Sequence, residues 1–129
     1  MRHRVAGKKL NRPAGARTAL RRNLVTEFLR HGHIQTTRTK AQAIRGRAEK
    51  LITLAKHGLA AAEQSPESGL HARRLAAARL NDPEVVKKLF DEIAPKYAQR
   101  DGGYTRMLNL GLRKGDAAPV VLLQLVEEA

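Results

Sequence analysis

The side chains with the clearest chemistry in this chain are the basic residues near its start. Residues 1–22 contain eight Lys and Arg and no acid, so the positive charge of this segment has no internal partner. Arginine binds phosphate oxygens in pairs through its planar guanidinium, and lysine binds them as a point charge. A dense array of such cations is typical of a surface that binds a polyanion, and nucleic acid is the densest polyanion in a cell.

The positive charge is concentrated in one part of the chain. The first 50 residues hold 14 Lys and Arg against two acids, Glu27 and Glu49, whereas the remaining 79 residues hold 11 against 10. The whole chain has a net charge of +13 and an isoelectric point near 11.1. These values favour a nucleic-acid-binding protein over an enzyme for small molecules. A membrane surface also attracts cations, but the basic segment has no apolar face to insert.

The basic segment is predicted to be a tail that precedes a globular body. In residues 1–16, Gly7, Pro13 and Gly15 interrupt the cations, and the apolar residues show no period. Such a segment cannot offset the entropy of its own ordering, so we expect it to order on binding. Residues 17–129 are predicted to form a single α+β domain, because 129 residues with 42% apolar content suit one domain.

Two helices are predicted to follow the tail. An apolar stripe at helical spacing begins at about Arg17, and Gly32 is the expected C-terminal stop of that first helix. Thr39 and Gln42 have the spacing of a capping box at the start of the second helix. Gly58 is its predicted end.

The middle of the chain is predicted to contain a strand, a loop and two further helices. Ile34 to Thr37 has short β-type chemistry. Residues 60–69 are rich in small and polar side chains and are interpreted as a loop, followed by a short helix over residues 70–80. Asp82-Pro83-Glu84 combines a capping side chain, a proline at the first helical position and an acid in the first turn. Pro95 should kink or end that last helix.

The C-terminal third is predicted to be a β-hairpin. Residues 104–110 alternate, with Tyr104, Arg106, Leu108 and Leu110 expected on one face. Residues 113–116 form a hairpin-like connection, and the apolar run 119–126 is expected to be a strand covered on both faces. The predicted fold class is therefore α+β: three to four helices packed on a small mixed sheet of about three strands, with an extended basic N-terminal tail.

Short blocks of sequence, in order along nearly the whole chain, resemble the bacterial large-subunit ribosomal protein seventeen family. The resemblance begins at Met1-Arg2-His3-Arg4 and includes Gly102-Gly103-Tyr104-Thr105-Arg106 near the end. Each block is weak alone, whereas the ordered set is highly specific. The other blocks are residues 7, 9–10, 12, 22–23, 34–37, 40–41, 51–56, 88–90 and 113–119.

The resemblance implies a structural constituent of the bacterial large (50S) ribosomal subunit that binds large-subunit (23S) ribosomal RNA in translation. It implies a place in the cytoplasm as part of the ribosome, beside neighbouring ribosomal proteins near the exit of the nascent-chain tunnel. The residues themselves show no catalytic set, no nucleotide-binding loop and no cluster of metal ligands, so we expect no enzymatic activity, no cofactor, no metal, no small-molecule substrate and no membrane.

The candidate RNA-binding residues come from the tail, the outer faces of the first two helices and the matching blocks. For the helix residues, solvated surface charge is an equally good interpretation of each one taken singly. Tyr104 is a candidate for stacking on a base, but a tyrosine in the core of a strand is at least as good an interpretation. The candidates are Arg2, His3, Arg4, Lys8, Lys9, Arg12, Arg17, Arg21, Arg22, Asn23, Lys40, Arg45, Lys56, Tyr104, Arg106, Arg113 and Lys114, with Arg47 and Lys50 on the same helix faces.

Two other functions remain open from the residues alone. An architectural DNA-binding protein is the main alternative, because composition does not separate it from an RNA-binding one. A small RNA-processing enzyme would have to use His31, His33 or His57, yet no catalytic set accompanies them. His31 and His33 also lack a third candidate ligand, and the chain has no cysteine, so the sequence predicts no zinc site.

Overall fold

Helices come first in this chain and a three-stranded sheet is completed at its end. The computed structural model describes His3 and residues 7–126. This architecture confirms the predicted α+β class. Its elements are α1 Ala14–His31, β1 His33–Thr37, α2 Arg38–Gln64, α3 Pro66–Arg79, α4 Pro83–Lys88, a π-helical turn Leu89–Ile93, α5 Ala94–Lys96, β2 Thr105–Leu112 and β3 Pro119–Leu125.

The sheet has the strand order β1-β3-β2, with the last strand in the centre. Both pairings are antiparallel, so the expectation of a mixed sheet was wrong. The short connection between β2 and β3 can only join antiparallel neighbours, and β1 pairs with the free edge of β3 in the same sense. Leu123 is the centre of a row in which Ile34 and Met107 are its partners on the two sides.

The two faces of the sheet differ in burial. On the inner face, Val121 and Leu123 are fully buried against the helices. On the outer face, Leu122 is only half-buried, and Leu108 and Leu110 of β2 are 40% and 50% exposed. The prediction that β3 is covered on both faces was therefore wrong, because all the helices that pack on the sheet lie on one side of it.

The first helix ends as predicted but begins earlier. Gly32 adopts the left-handed conformation with φ 81°, and its N–H donates to the carbonyl of Phe28 at 2.8 Å. Helical structure starts at Ala14, three residues before the predicted start at Arg17, since the alanine-rich segment after Pro13 favours a helix. The predicted capping box of α2 is absent: the helix starts at Arg38, so Thr39 lies inside its first turn.

The predicted loop over residues 60–69 is helical. Helix α2 continues through Gly58 to Gln64, and α3 begins at Pro66. Gly58 and Gly69 lie where these helices press together, and an added Cβ would come within 2.5 Å of the Cβ of Ala72 and 2.6 Å of the Cβ of Ala62, respectively. The glycines therefore serve close helix packing here, which outweighs their low helix propensity.

The start of α4 confirms the sequence prediction. The carboxylate of Asp82 accepts a hydrogen bond from the backbone N–H of Glu84 at 2.9 Å, as an N-terminal cap should. Its other oxygen accepts from Arg30 of α1 at 2.5 Å. Asp82 thus joins the first helix to the fourth, and the helical segment that it starts ends at Lys96, directly after Pro95.

The same contacts predict how stability depends on pH. The N–H of Glu84, followed by the guanidinium of Arg30, holds the pKa of Asp82 below its usual range. A lowered carboxyl pKa stabilises the fold above the unfolded-state pKa of about 3.9, and this gain is lost as the pH falls through the folded-state pKa.

Asp82→Asn keeps a capping side chain but removes the charge. We expect this variant to be less stable than the natural chain at neutral pH and to lose that difference in acid, measured by urea unfolding across a pH series. A stability difference that does not shrink in acid would show that the charge of Asp82 is not its source.

Candidate nucleic-acid interface

The basic tail enters the fold along the first helix. His3, Lys8, Lys9 and Arg12 are exposed, and the guanidinium of Arg21 donates to the carbonyl of Lys8 at 2.5 Å. The side chains of this segment are therefore free to face a partner while its backbone is held against α1. Two other predicted tail residues, Arg2 and Arg4, lie outside the described residues.

The outer faces of α1 and α2 meet along a groove that collects positive charge. The groove has a volume of about 550 Å³, and the buried side chains of Val25 and Leu51 lie at its floor. We call it the α1–α2 groove. Five cations line it: Arg21, Arg22, Arg47, Lys50 and Arg79.

Arg79 was not among the residues expected from the sequence. It lies in the last turn of α3, where a cation is ordinarily explained by the helix dipole. Only the packing of α3 beside the first two helices brings it to the groove. No pattern local to Arg79 in the sequence indicates that position.

Arg21 is in the most crowded electrostatic position of this set. Burial, together with the nearby charges of Arg47 and Arg17, lowers the pKa of Arg21. Its Nε is buried and has no hydrogen-bond acceptor among the described residues. No acidic side chain among the described residues lines the groove beside it.

Two neighbouring candidates on α1 contact the segment between α3 and α4. Arg22 donates to the carbonyl of Ala78 at 2.5 Å, and Asn23 accepts a hydrogen bond from the side chain of Asn81. Both residues remain exposed. These contacts fix the end of α3 against α1, which is the contact that places Arg79 at the groove.

Two candidates on α2 face the sheet instead. Arg45 donates to the hydroxyl of Thr105 at 3.1 Å and lies 3.7 Å from a carboxylate oxygen of Glu49. Lys56 donates to the carbonyl of Arg100 and, at 3.0 Å, to the hydroxyl of Tyr104. These interactions tie α2 to the start of β2.

Tyr104 is the aromatic residue for which the sequence left two interpretations. It is 1% exposed, and its ring packs against Tyr97 with the centroids 5.3 Å apart. Buried in this way, the ring offers no face on which a base could stack. Its position is that of a tyrosine in the core, and we leave it out of the interface.

Four further candidates lie near the sheet and the hairpin turn. Arg113 forms an ion pair with Asp116, whose pKa falls to about 2 because Arg113 and the N–H of Ala118 both donate to its carboxylate. Lys114 and Arg106 are exposed, and Lys40 is half-buried beside the hairpin end. None of these side chains lines the α1–α2 groove.

The histidines do not form a metal site in the part of the chain that the structure describes. Within these residues no three His, Cys, Asp or Glu side chains come together in a way that could hold an ion. His31 instead lies 3.2 Å from the carboxylate of Glu27 on the same helix. No helix among the described residues is both long and apolar enough to cross a bilayer.

Sequence comparison with known proteins gives a family match. A family model described as "Ribosomal protein L17" matches residues 20–126, which is most of the chain. The chain belongs to the ribosomal protein L17 family. This family is one of ribosomal proteins, whose role is structural and not enzymatic.

Individual relatives match over similar lengths. The large ribosomal subunit protein bL17 of Clostridium perfringens is 56% identical over 119 residues, which cover 92% of this chain and 96% of the relative. The protein of the same name from a Thermoanaerobacter species is 54% identical over 119 residues, 92% of this chain and 97% of its own. That of Geobacter metallireducens is 50% identical over 128 residues, 99% of this chain and 66% of its own.

Proposed function

We propose that this chain is a structural constituent of the bacterial large ribosomal subunit, in the cytoplasm, and that it binds 23S ribosomal RNA. The basic tail and the cationic face of α1 and α2 are the proposed contacts. The observation that carries the proposal is the convergence of five cations on the α1–α2 groove, beside a tail whose described cations Lys8, Lys9 and Arg12 are exposed.

The chemistry of this interface suits RNA backbone better than unstacked bases. All four aromatic rings of the chain are buried, at 1% exposure or less, so none is available as a stacking platform. Guanidinium and ammonium groups dominate the surface that remains, and these bind phosphate irrespective of sequence. Recognition should therefore depend on the shape of the folded RNA, which sets where its phosphates lie.

The test of this proposal is a salt series. We expect the chain to bind purified 23S ribosomal RNA with an affinity that falls steeply as salt rises, with a log–log slope of about −5 or steeper, because roughly 0.9 counterions are released per phosphate contact. The chain should also sediment with large subunits at low salt and leave them at high salt. Filter binding and sedimentation measure the two quantities.

Duplex DNA provides the control. An architectural DNA-binding protein would be displaced from 23S ribosomal RNA by an equal mass of duplex DNA, whereas the proposed function predicts that DNA competes weakly. Equal competition by both nucleic acids, together with absence of the chain from washed large subunits, would contradict the proposal.

We further propose that neighbouring ribosomal proteins near the tunnel exit contact the outer face of the sheet. Leu108 and Leu110 are exposed there, together with the half-buried Leu122. An apolar patch of this kind is typical of a protein contact. A photo-reactive side chain at position 108 should cross-link to protein in intact subunits, and cross-links to RNA alone would overturn this assignment.

A further inference from the structure

The α1–α2 groove has a buried apolar floor and exposed walls. Its apolar floor is Val25 and Leu51, both about 3% exposed. Its walls are mostly exposed residues of α1, α2 and the end of α3, so the groove is accessible from outside the protein. Two uncharged polar side chains, Thr18 and Gln42, also line it.

The charge in the groove is unbalanced. None of the described residues that line it is acidic, whereas five are basic. Within the part of the chain that the structure describes, the buried Nε of Arg21 has no acceptor, although the same guanidinium donates to the carbonyl of Lys8. A buried donor without an acceptor is unfavourable, and so are cations crowded together. An anion in the groove would remove the repulsion among these cations.

Gly46 lies inside α2, in its first third, and forms part of the groove wall. A glycine inside a helix costs stability relative to alanine. Gly58 and Gly69 have a packing reason for being glycine, but at Gly46 an added Cβ would meet no atom within 4 Å. No contact within the described residues explains this glycine, so the open space beside it is available to a ligand that approaches the helix backbone.

We propose that the α1–α2 groove is the binding site of an RNA backbone segment. The phosphodiester groups of this segment contact Arg21 and Arg47, and its chain passes beside Gly46. This inference rests on the proposed function and assigns one particular site to it. Arg22, Lys50 and Arg79 surround the same phosphates, and Thr18 and Gln42 lie where they can bond ribose hydroxyls. The missing side chain at position 46 is what lets the backbone of the RNA approach α2.

Filling the groove tests the proposal without removing any charge. Gly46→Leu puts a bulky apolar side chain into the α1–α2 groove, and we expect it to weaken binding of 23S ribosomal RNA at least tenfold. Its matched control is Ala60→Leu, which adds apolar bulk at an exposed position of the same helix, about 21 Å away at 1.5 Å per residue. The control should bind RNA as the natural chain does.

Stability separates blocked binding from misfolding. Both leucine variants replace an exposed helical residue, so thermal melting should occur at or above the temperature of the natural chain. If Gly46→Leu melts lower, Gly46→Ala serves as the second variant: it should melt higher than the natural chain and still bind RNA several-fold more weakly.

The outcomes distinguish this inference from the proposed function. If Gly46→Leu and Gly46→Ala bind 23S ribosomal RNA like the natural chain, while Arg21→Gln and Arg47→Gln weaken binding, the RNA lies on the cationic face but not in the groove, and the inference is wrong. If the natural chain itself shows no preference for 23S ribosomal RNA over duplex DNA, the proposed function fails first.

Discussion

Binding of 23S ribosomal RNA is expected to weaken about 100-fold at roughly 0.15 M salt in a chain whose tail cations are neutralised. Each phosphate contact contributes about 0.7–0.9 to the slope of log affinity against log salt, so losing five contacts should also reduce that slope by about 4. Filter binding over a salt series measures both. The five substitutions are Arg2→Gln, Arg4→Gln, Lys8→Gln, Lys9→Gln and Arg12→Gln.

A pair of triple variants separates the position of the charge from its amount. Lys8→Gln, Lys9→Gln and Arg12→Gln remove three exposed tail cations, and Arg74→Gln, Lys87→Gln and Lys96→Gln remove three exposed cations of the body. Both lower the net charge equally, so a general attraction to RNA would weaken equally in both. We expect the tail triple to lose far more affinity. Equal losses would mean that the tail is not an anchor.

The basic tail and helix faces could be predicted from the sequence because charge is a local property. Counting cations and acids along the chain requires no knowledge of which elements touch. The groove could not be predicted in this way. It requires the contact of α1 with α2 and the arrival of Arg79 from the end of α3, and such contacts between distant residues are not visible in a local pattern.

Arg45 and Arg47 illustrate the limit for single residues. Both were expected on one cationic face, but two positions along a helix correspond to a rotation of about 200°, so the side chains point in different directions. Arg47 lines the groove, whereas Arg45 bonds Thr105 of the sheet. Helical periodicity predicts that the two side chains point in different directions. Which of them faces outward depends on where the neighbouring elements pack, and periodicity does not show that.

Sequence signals for helix ends predicted the structure correctly where the capping residue bonds a backbone group close to it in the sequence. Gly32 and Asp82 each satisfy backbone groups within a few residues, and both act as predicted. The capping box at Thr39 failed because the preceding strand leads into the helix two residues earlier, with Thr37 at the cap position. The loop assigned to residues 60–69 failed for a different reason, which lies in the contact between α2 and α3.

Gly58→Ala is expected to destabilise the fold by about 1–2 kcal/mol. Alanine gains up to about 1 kcal/mol in helix propensity, but overpacking a filled core costs about 1–3 kcal/mol and sometimes more. Here the new Cβ would be 2.5 Å from the Cβ of Ala72 and 3.2 Å from a ring carbon of Phe90. Neither neighbour is a flexible chain end, so α2 and α3 must move apart.

The same substitution at Gly46 is the matched control, because it lies on the same helix with open space around it. Gly46→Ala should stabilise the fold by roughly 0.5–1 kcal/mol, so the two variants should differ in sign when both are measured by urea unfolding. Adding Ala72→Gly to Gly58→Ala restores room between the helices, and the double variant should be more stable than the sum of the single effects. If Gly58→Ala proves as stable as Gly46→Ala, then helix propensity and not close packing governs position 58.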